Sequence, residues 1–255
     1  MSHLLEVKDL SMRFGGLLAV DGVQLALNPK EIFAIIGPNG AGKTTVFNCI
    51  SGFYQPSGGS VVLDGKSIAG QSSHEVANHG VVRTFQNVRL FKHMTALENL
   101  LVAQHRQSRA TLLGGLFNTP GYRRAEQEKI DNALQWLDVM GLRQFANREA
   151  GNLAYGHQRR LEIARALATD PQLIALDEPA AGMNATEKVQ LRELIDRIRN
   201  DNRTILLIEH DVKLVMGLCD RVTVLDYGKQ IAEGTPATVQ KNEKVIEAYL
   251  GTGGH

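Results

Sequence analysis

The feature that most constrains this chain is a glycine-rich segment that directly follows a short apolar run. Residues 37–45 read GPNGAGKTT, and the run before them, residues 31–36, reads EIFAII. The segment fits the pattern G-x-x-x-x-G-K-[ST] without departure, and a buried strand before it and a helix after it are the setting of a phosphate-binding loop. Glycines let backbone N–H groups point inward, and the N-terminus of the following helix adds the positive end of its dipole. The chain is therefore expected to hold the phosphates of a nucleotide.

Side chains of this loop have expected parts in binding the nucleotide and its metal ion. Lys43 should reach the β- and γ-phosphates, and the Thr44 hydroxyl should coordinate Mg²⁺. ATP and Mg²⁺ are therefore the expected cofactors. The expected nucleotide contacts in the loop are Gly37, Pro38, Asn39, Gly40, Ala41, Gly42, Lys43, Thr44 and Thr45.

A second apolar run ends in two adjacent carboxylates. Residues 173–179 read LIALDEP, which is typical of a buried strand that ends at Asp177. Asp177 suits a role at the Mg²⁺ ion, and Glu178 is placed to act as a general base on an attacking water. Acidic residues that simply end a strand at the surface would show the same pattern, but the intact phosphate loop favours the catalytic interpretation.

Two further polar residues, Gln86 and His210, each end a predicted strand. The carboxyl ends of parallel strands line the ligand crevice of a doubly wound sheet. Each residue alone would be unremarkable, since a histidine after a strand is more often structural. Together with the phosphate loop, they are expected to contact Mg²⁺, water and the γ-phosphate.

Strand and helix patterns alternate along most of the chain, which predicts an α/β fold with a mostly parallel sheet and crossover helices. Residues 1–86 and 169–255 are expected to form a nucleotide-binding core with a small antiparallel β part on its N-terminal side. Residues 87–168 are expected to form an inserted α-helical subdomain, in which Thr95 begins a capping box. Residues 107–124 are rich in Gly, Arg and Thr and indicate a long loop.

Composition argues against several other classes of protein. A net charge of +1 gives no broad attraction to nucleic acid. No apolar run approaches the roughly 20 residues that cross a bilayer, and the N-terminus lacks the pattern of a signal peptide. We therefore expect a soluble chain that a partner must hold at any membrane. Cys49 and Cys219 lie in apolar, helix-like contexts and are expected to be buried, unpaired thiols.

Taken in order, these segments resemble an ATP-binding cassette (ABC) ATPase over essentially the whole chain. The matching parts are GPNGAGKTT, TFQ, LAYGHQRRLEIARAL, LIALDEP, AAGMN and IEH. The resemblance implies a P-loop NTPase core of the RecA-like type that hydrolyses ATP. It also implies that Gln86 senses Mg²⁺ and a transmembrane partner, and that His210 holds the γ-phosphate. By the same resemblance Phe14 stacks on adenine with Val20 as a second ring contact, the alternative being that Phe14 is an ordinary strand residue.

The segment that resembles the family's signature departs from it. The usual LSGGQ reads LAYGH here, at Leu153 to His157. In the family this segment contacts ATP held by the opposite subunit of a head-to-tail dimer. The residues that would make this contact in trans are Ala154, Tyr155, Gly156 and His157. Ala154 lacks the serine hydroxyl that reaches the γ-phosphate, whereas backbone N–H groups and the helix N-terminus remain available. A helix start with no role in ATP binding is the alternative.

These departures suggest an asymmetric assembly. The chain keeps its own P-loop and the polar residues around it, and the altered part is the one donated to the partner's ATP. The segment AAGMN also departs, because it ends in Asn184 where the family usually has aspartate. We therefore expect a heterodimer with a similar but distinct ATPase subunit.

A narrower resemblance joins the chain to the ATP-binding subunit of high-affinity branched-chain amino-acid importers of bacteria. The segments that carry it are VRTFQNVRLFKHMTALENLLVAQH, LAYGHQRRLEIARAL and DEPAAGMNATE. It implies two permease subunits, a periplasmic binding protein that acts indirectly, and a place on the cytoplasmic face of the inner membrane. The segment 105–124 also fits this subfamily, as a surface near the permease or as a solvated loop.

Three alternatives remain open at this point. Urea and short-chain amide importers have similar ATPases, and the transported molecule would contact other subunits rather than this one. A soluble ABC protein of ribosomes or DNA would usually carry two cassettes or a long coiled coil, and this chain shows neither. A P-loop kinase would lack the LAYGHQRRLEIARAL segment, and a GTPase would usually show an NKxD motif, which is absent.

Overall fold

The computed structural model describes residues 3–104 and 119–250. They fall into two compact units: the first unit is Met1–Gln86 with Gln172–His255, and the second unit is Asn87–Pro171. The division expected from the sequence, 1–86 with 169–255 and 87–168, stays a prediction of domain boundaries.

The larger sheet of the first unit confirms the predicted α/β core. Its strands are β3 (Ile32–Ile36), β6 (Val81–Arg83), β7 (Leu173–Asp177), β8 (Thr204–Ile208), β9 (Arg221–Asp226) and β10 (Lys229–Gly234), in the order β10-β9-β3-β8-β7-β6. All neighbours pair in parallel except β10, which is antiparallel to β9. Every residue of β3, β7 and β8 is buried, which explains their unbroken apolar runs.

A second sheet in the first unit is antiparallel, as the alternating N-terminal pattern predicted. It consists of β1 (Leu5–Phe14), β2 (Leu17–Leu27), β4 (Gly58–Leu63) and β5 (Lys66–Ser67), in the order β2-β1-β4-β5. Asp64 and Gly65 connect β4 to β5 with φ angles of 45° and 74°. Two positive φ angles in a two-residue hairpin are what an Asp-Gly pair accommodates best.

The helices of the first unit lie between its strands or follow the last of them. They are α1 (Lys43–Ile50), α2 (Ser73–Asn78), α6 (Ala185–Asn200), α7 (Val212–Leu218), α8 (Pro236–Val239) and α9 (Glu243–Leu250). Asn184 caps α6, because its side chain accepts from the Glu187 N–H at 3.0 Å and the Glu187 carboxylate accepts from the Asn184 N–H at 2.9 Å. The residue that departs from the family's aspartate thus has a local structural role.

The second unit is helical, with α3 (Ala96–Gln104), α4 (Pro120–Val139) and α5 (Tyr155–Leu167). The predicted capping box is confirmed, since the Thr95 hydroxyl accepts from the Glu98 N–H at 3.1 Å. Helix α4 begins earlier than expected, because Thr119 caps it and proline is favoured in the first turn. The expected loop 107–124 therefore overlaps a helix from Pro120 onward, and its part up to residue 118 lies outside the described residues.

The two sheets of the first unit share a hydrophobic core that includes Phe33, Phe47 and Leu225. Cys49 and Cys219 are buried and unpaired, as expected. Burial raises the pKa of Cys49 to about 11, so this thiol stays protonated and unreactive near neutral pH. None of the described helices combines the length and apolar character that crossing a bilayer requires.

Candidate functional site

The phosphate loop follows β3 directly and ends where α1 begins at Lys43. Gly40 and Gly42 have φ angles of 79° and 96°, a region that glycine occupies without strain. Gly37 is required for a different reason: a Cβ there would lie 2.1 Å from the carbonyl oxygen of Leu225. The backbone of this loop therefore depends on glycine at Gly37 and Gly42, which the motif specifies, and also at Gly40, which it does not.

Lys43 is held inside the loop that precedes it. Its Nζ donates to the carbonyl oxygens of Gly37 and Pro38, both at 2.7 Å. Burial lowers the pKa of Lys43, and the negative charge of Glu178 opposes that shift. The ammonium group is thus positioned beside the loop's inward-facing backbone, where phosphate oxygens would be its natural partners.

The turn between β9 and β10 supports the loop from the side. Gly228 donates to the Ala41 carbonyl at 3.1 Å and accepts from the Asp21 N–H at 2.9 Å. An open cavity of about 320 Å³ lies here. Its lining residues are Leu17, Leu18, Ala19, Gly40, Ala41, Gly42, Lys43, Thr44, Thr45 and Tyr227. Tyr227 is 85 % exposed and carries no sequence motif, so sequence reasoning did not single it out.

Glu178 is the meeting point of three strand ends in the larger sheet. Gln86 Nε2 donates to Glu178 Oε2 at 2.8 Å, and His210 Nδ1 lies 3.6 Å from Glu178 Oε1. The Glu178 N–H donates to the Ile208 carbonyl at 2.9 Å, and its φ angle of 46° is uncommon for a residue with a side chain. The structure therefore brings together the three polar residues that the sequence proposed for catalysis.

Asp177 lies next to this group but is more deeply buried, with 9 % of its side chain exposed. Its Oδ2 accepts a hydrogen bond of 2.6 Å from Arg83 Nη2. Arg83 was not among the expected site residues, because one arginine in a short strand forms no recognisable pattern.

Glu209 connects the two loops that carry the catalytic candidates. Its carboxylate accepts from the backbone N–H groups of Ala180 at 2.9 Å, His210 at 3.2 Å and Asp211 at 3.4 Å. Burial raises the pKa of Glu209, and these N–H donors oppose the shift. Lys188 adds a second connection through a 2.6 Å ion pair with Asp211. The loop after β7 is thereby fixed against the loop that carries His210.

The two residues expected at the adenine ring are placed differently. Phe14 is 42 % exposed and packs edge-to-face on Tyr54, with ring centroids 5.3 Å apart, so its outer surface can meet a base. Val20 has no exposed surface and belongs to the hydrophobic core. This corrects the expectation for Val20, because a fully buried side chain offers no face for a ligand ring.

The signature-like segment lies in the second unit, at the start of α5. Ala154 occupies the N-cap position and makes no side-chain cap, since alanine has no acceptor. Tyr155, Gly156 and His157 form the first turn, and the His157 ring lies 4.9 Å from the Phe145 ring. Their proposed contact with a partner's ATP stays a prediction that one chain cannot show.

The donor set suits Mg²⁺ bound together with a nucleotide. Within residues 3–104 and 119–250, no cluster of three or more His, Cys, Asp or Glu side chains is placed to hold a metal ion. Mg²⁺ takes oxygen ligands and commonly keeps waters and substrate phosphates, with only one or two carboxylates from the protein. The Thr44 hydroxyl, the Asp177 carboxylate and the Gln86 amide oxygen are donors of this kind.

Comparison with known families gives two matches. Residues 20–181 match the ABC transporter family, and residues 229–255 match the family described as branched-chain amino acid ATP-binding cassette transporter. The second match covers β10, α8 and α9, elements for which the sequence showed us no motif.

Individual relatives match along nearly the full chain. The chain is 57 % identical over 249 residues to the high-affinity branched-chain amino acid transport ATP-binding protein BraF of Pseudomonas aeruginosa, covering 97 % of this chain and 98 % of the relative. The ATP-binding protein LivG of Escherichia coli K12 shows the same identity and coverage.

Solved structures agree with these matches. The ADP conformation of an ATP-binding cassette of an ABC transporter aligns with a TM-score of 0.86 at 33 % identity, covering 98 % of this chain and all of the other. A nucleotide-free cassette from an ABC transporter aligns with a TM-score of 0.84, also at 33 % identity, covering 97 % and 98 %. The predicted fold class is therefore confirmed.

Proposed function

The chain belongs to the ABC transporter family, and from that membership we propose that it is the ATP-hydrolysing subunit of an importer for branched-chain amino acids. The observation that carries the proposal is the convergence on Glu178 of Gln86 and His210. This group lies at the carboxyl edge of a sheet in which β3, the strand before the phosphate loop, pairs with β8. A phosphate-binding loop and a positioned carboxylate at one sheet edge suit hydrolysis of a nucleotide.

We assign the steps of hydrolysis to residues of this site. Glu178 would accept a proton from the attacking water, whose oxygen forms a bond to the γ-phosphorus as the bond to the bridging oxygen breaks. ADP and phosphate leave. Lys43 would stabilise the charge on the phosphate oxygens, and His210 would orient the γ-phosphate. Mg²⁺, held by Thr44, Asp177 and Gln86, would neutralise further charge on the same oxygens.

The transported substrate is proposed from the relatives rather than from the site. Both 57 % identical relatives are named for high-affinity transport of branched-chain amino acids, and the match at 229–255 points to the same group. In such a system two permease subunits would hold this chain at the cytoplasmic face of the membrane, and a periplasmic binding protein would deliver the amino acid. ATP binding would close two ATPase subunits and hydrolysis would reopen them.

The second ATPase subunit is proposed to be a different chain. Ala154 at the start of α5 offers no hydroxyl to ATP on the opposite subunit, while Lys43 and Glu178 of this chain's own site are in place. A homodimer would contain two altered signature segments. A distinct partner would supply this chain's ATP with a signature of its own.

Uptake by a reconstituted complex tests the proposed substrate. Proteoliposomes would contain this chain, a second ATPase and two permeases of the same organism's branched-chain amino-acid importer, with ATP inside and the binding protein outside. We expect ATP-dependent accumulation of radiolabelled leucine and no accumulation of radiolabelled urea or acetamide. The matched control replaces this chain with Lys43→Ala and should lose uptake. Accumulation of urea or acetamide without leucine would contradict the proposal and identify the alternative importer class.

A further inference from the structure

Arg83 is a buried cation at the centre of the candidate site. It is the last residue of β6, and its side chain is 8 % exposed beside the 9 % exposed side chain of Asp177. Burying an arginine is costly unless its charge and its N–H groups have partners. The partners of this guanidinium therefore indicate what it does.

Those partners lie on two elements of the site. Nη2 donates to Asp177 Oδ2 at 2.6 Å, at the end of β7. Nη1 donates to Ser51 Oγ at 3.3 Å and also to Asn48 Oδ1, in and just after the last turn of α1. Because α1 begins at Lys43, one guanidinium connects the acidic strand end to the helix that carries the phosphate loop.

Aromatic rings surround the same guanidinium. The centroids of the Phe47, Phe53 and Phe85 rings lie 4.8, 5.3 and 5.4 Å from Arg83 Cζ. A planar guanidinium can stack on rings while its fork donates to oxygens, and a lysine ammonium cannot do both. These contacts place the guanidinium between aromatic rings and its oxygen partners.

The hydrogen bonds leave part of the Asp177 carboxylate available. Among the described residues, one hydrogen bond reaches Oδ2 of Asp177, from Arg83, and none reaches Oδ1. A positive charge on Oδ2 reduces the attraction that the carboxylate exerts on a second cation at Oδ1. With Arg83 in place, the negative charge of Asp177 is already paired with a cation before any metal ion arrives.

We propose that Arg83 is a positioning residue that serves as the counter-ion of Asp177 and weakens the binding of Mg²⁺ in the absence of nucleotide. Mg²⁺ then enters the site together with ATP, whose phosphates supply the missing negative charge. The inference rests on the proposed function, because it takes Asp177 to be part of the Mg²⁺ site. It assigns Arg83 to control of metal binding rather than to contact with the reacting atoms.

The test measures the free Mg²⁺ concentration that half-saturates the site. The full chain would be titrated with Mg²⁺ at pH 8, once without nucleotide and once with the non-hydrolysable analogue AMP-PNP, with the thermal unfolding temperature as the readout. Arg83→Met removes the charge and is expected to lower the half-saturating Mg²⁺ concentration of the nucleotide-free chain about tenfold. Arg83→Lys keeps a charge and should remain within about twofold of wild type, although both variants lose thermal stability.

Arg221 provides a matched control. It also stacks on a phenylalanine, with Cζ 5.2 Å from the Phe33 centroid, and also pairs with a carboxylate, Glu31, at 3.1 Å. It stands at the first residue of β9, away from the carboxyl edge of the sheet. Arg221→Met is expected to lower stability without changing the half-saturating Mg²⁺ concentration.

The outcomes separate this inference from the proposed function. An unchanged or higher half-saturating Mg²⁺ concentration for Arg83→Met would overturn the counter-ion role while leaving the ATPase proposal intact. If Arg83→Met does not fold, the wild-type chain provides the test. Stabilisation of the wild-type chain by submillimolar Mg²⁺ without AMP-PNP would overturn the inference. Stabilisation by Mg²⁺ only when AMP-PNP is present would support it. A wild-type chain that gains no stability from Mg²⁺ and AMP-PNP together would overturn both.

Discussion

Lys43→Ala is expected to abolish tight binding of ATP by this chain. The ammonium group donates to the Gly37 and Pro38 carbonyls at 2.7 Å and lies in the loop that would enclose the phosphates. Removing one partner of a buried, hydrogen-bonded charge pair costs about 2–5 kcal/mol. Because 1.4 kcal/mol is tenfold, we expect the dissociation constant for Mg-ATP to rise by about 30-fold or more. Isothermal titration calorimetry of the purified chain measures it.

Lys66→Ala is the matched control for this experiment. Lys66 is an exposed residue of the short strand β5 and does not belong to the phosphate loop. Its replacement should leave ATP affinity unchanged, and both variants should keep a wild-type circular dichroism spectrum. If the dissociation constant of Lys43→Ala for Mg-ATP lies within about threefold of the wild-type value, Lys43 does not bind the phosphates.

Glu178→Gln is expected to bind ATP and to stall its hydrolysis. Glutamine fills the same space and keeps one oxygen for the Gln86 amide, but it cannot take a proton from the attacking water. General-base catalysis typically contributes about 10²–10⁴-fold to a rate, so a loss of that size is expected in kcat. Steady-state phosphate release measures kcat, and equilibrium titration measures ATP affinity, which should stay near wild type.

A surface glutamate controls for the loss of one negative charge. Glu193 is an exposed residue of α6, and Glu193→Gln should hydrolyse ATP at the wild-type rate. Size-exclusion chromatography of Glu178→Gln with ATP and the second ATPase should show a persistent dimer, because the closed state cannot be released by hydrolysis. Hydrolysis by Glu178→Gln at the wild-type rate would show that another group is the base.

The core of the fold could be predicted because its signals are local. The unbroken apolar runs of β3, β7 and β8 indicate strands that are buried on both faces. The Asp64-Gly65 turn and the capping box at Thr95 each depend on residues within four positions of one another. Such features need no knowledge of the rest of the chain.

Arg83 shows why part of the site could not be predicted. Its partner Asp177 is 94 residues away, so nothing in the sequence around Arg83 indicates that the two side chains meet. Glu209 is hidden in the same way, since its bond to the Ala180 N–H spans 29 residues. Their roles come from the pairing of strands that are distant in sequence.

Short and polar elements were missed for a different reason. Helix α2 has six residues and buries only Val76, and α8 has four residues and buries only Val239. Helices this short have no apolar stripe that repeats, and such repetition is the main sequence signal. Val20 failed as a ring contact because β2 turns this residue toward the core, a direction that an irregular strand register hides.

The altered signature was visible in the sequence, but its consequence depends on a second chain. Ala154 is the N-cap residue of α5 and makes no side-chain cap. The hydroxyl that it lacks would have contacted only the ATP bound to the opposite subunit. Asn184, in contrast, is explained within this chain, because it caps α6. The proposed asymmetry of the dimer is therefore inferred from the signature-like segment, which would contact the ATP bound to the opposite subunit.

We propose that the site built on Lys43 and Glu178 hydrolyses ATP rapidly only when a distinct ATPase subunit completes it. The most direct measurement is the initial rate of phosphate release as the chain concentration rises, for the chain alone and with equimolar second ATPase. We predict a slow rate that is linear in the concentration of the chain alone, and a large increase when the second ATPase is added. Fast, strongly cooperative hydrolysis by the chain alone would contradict the claim.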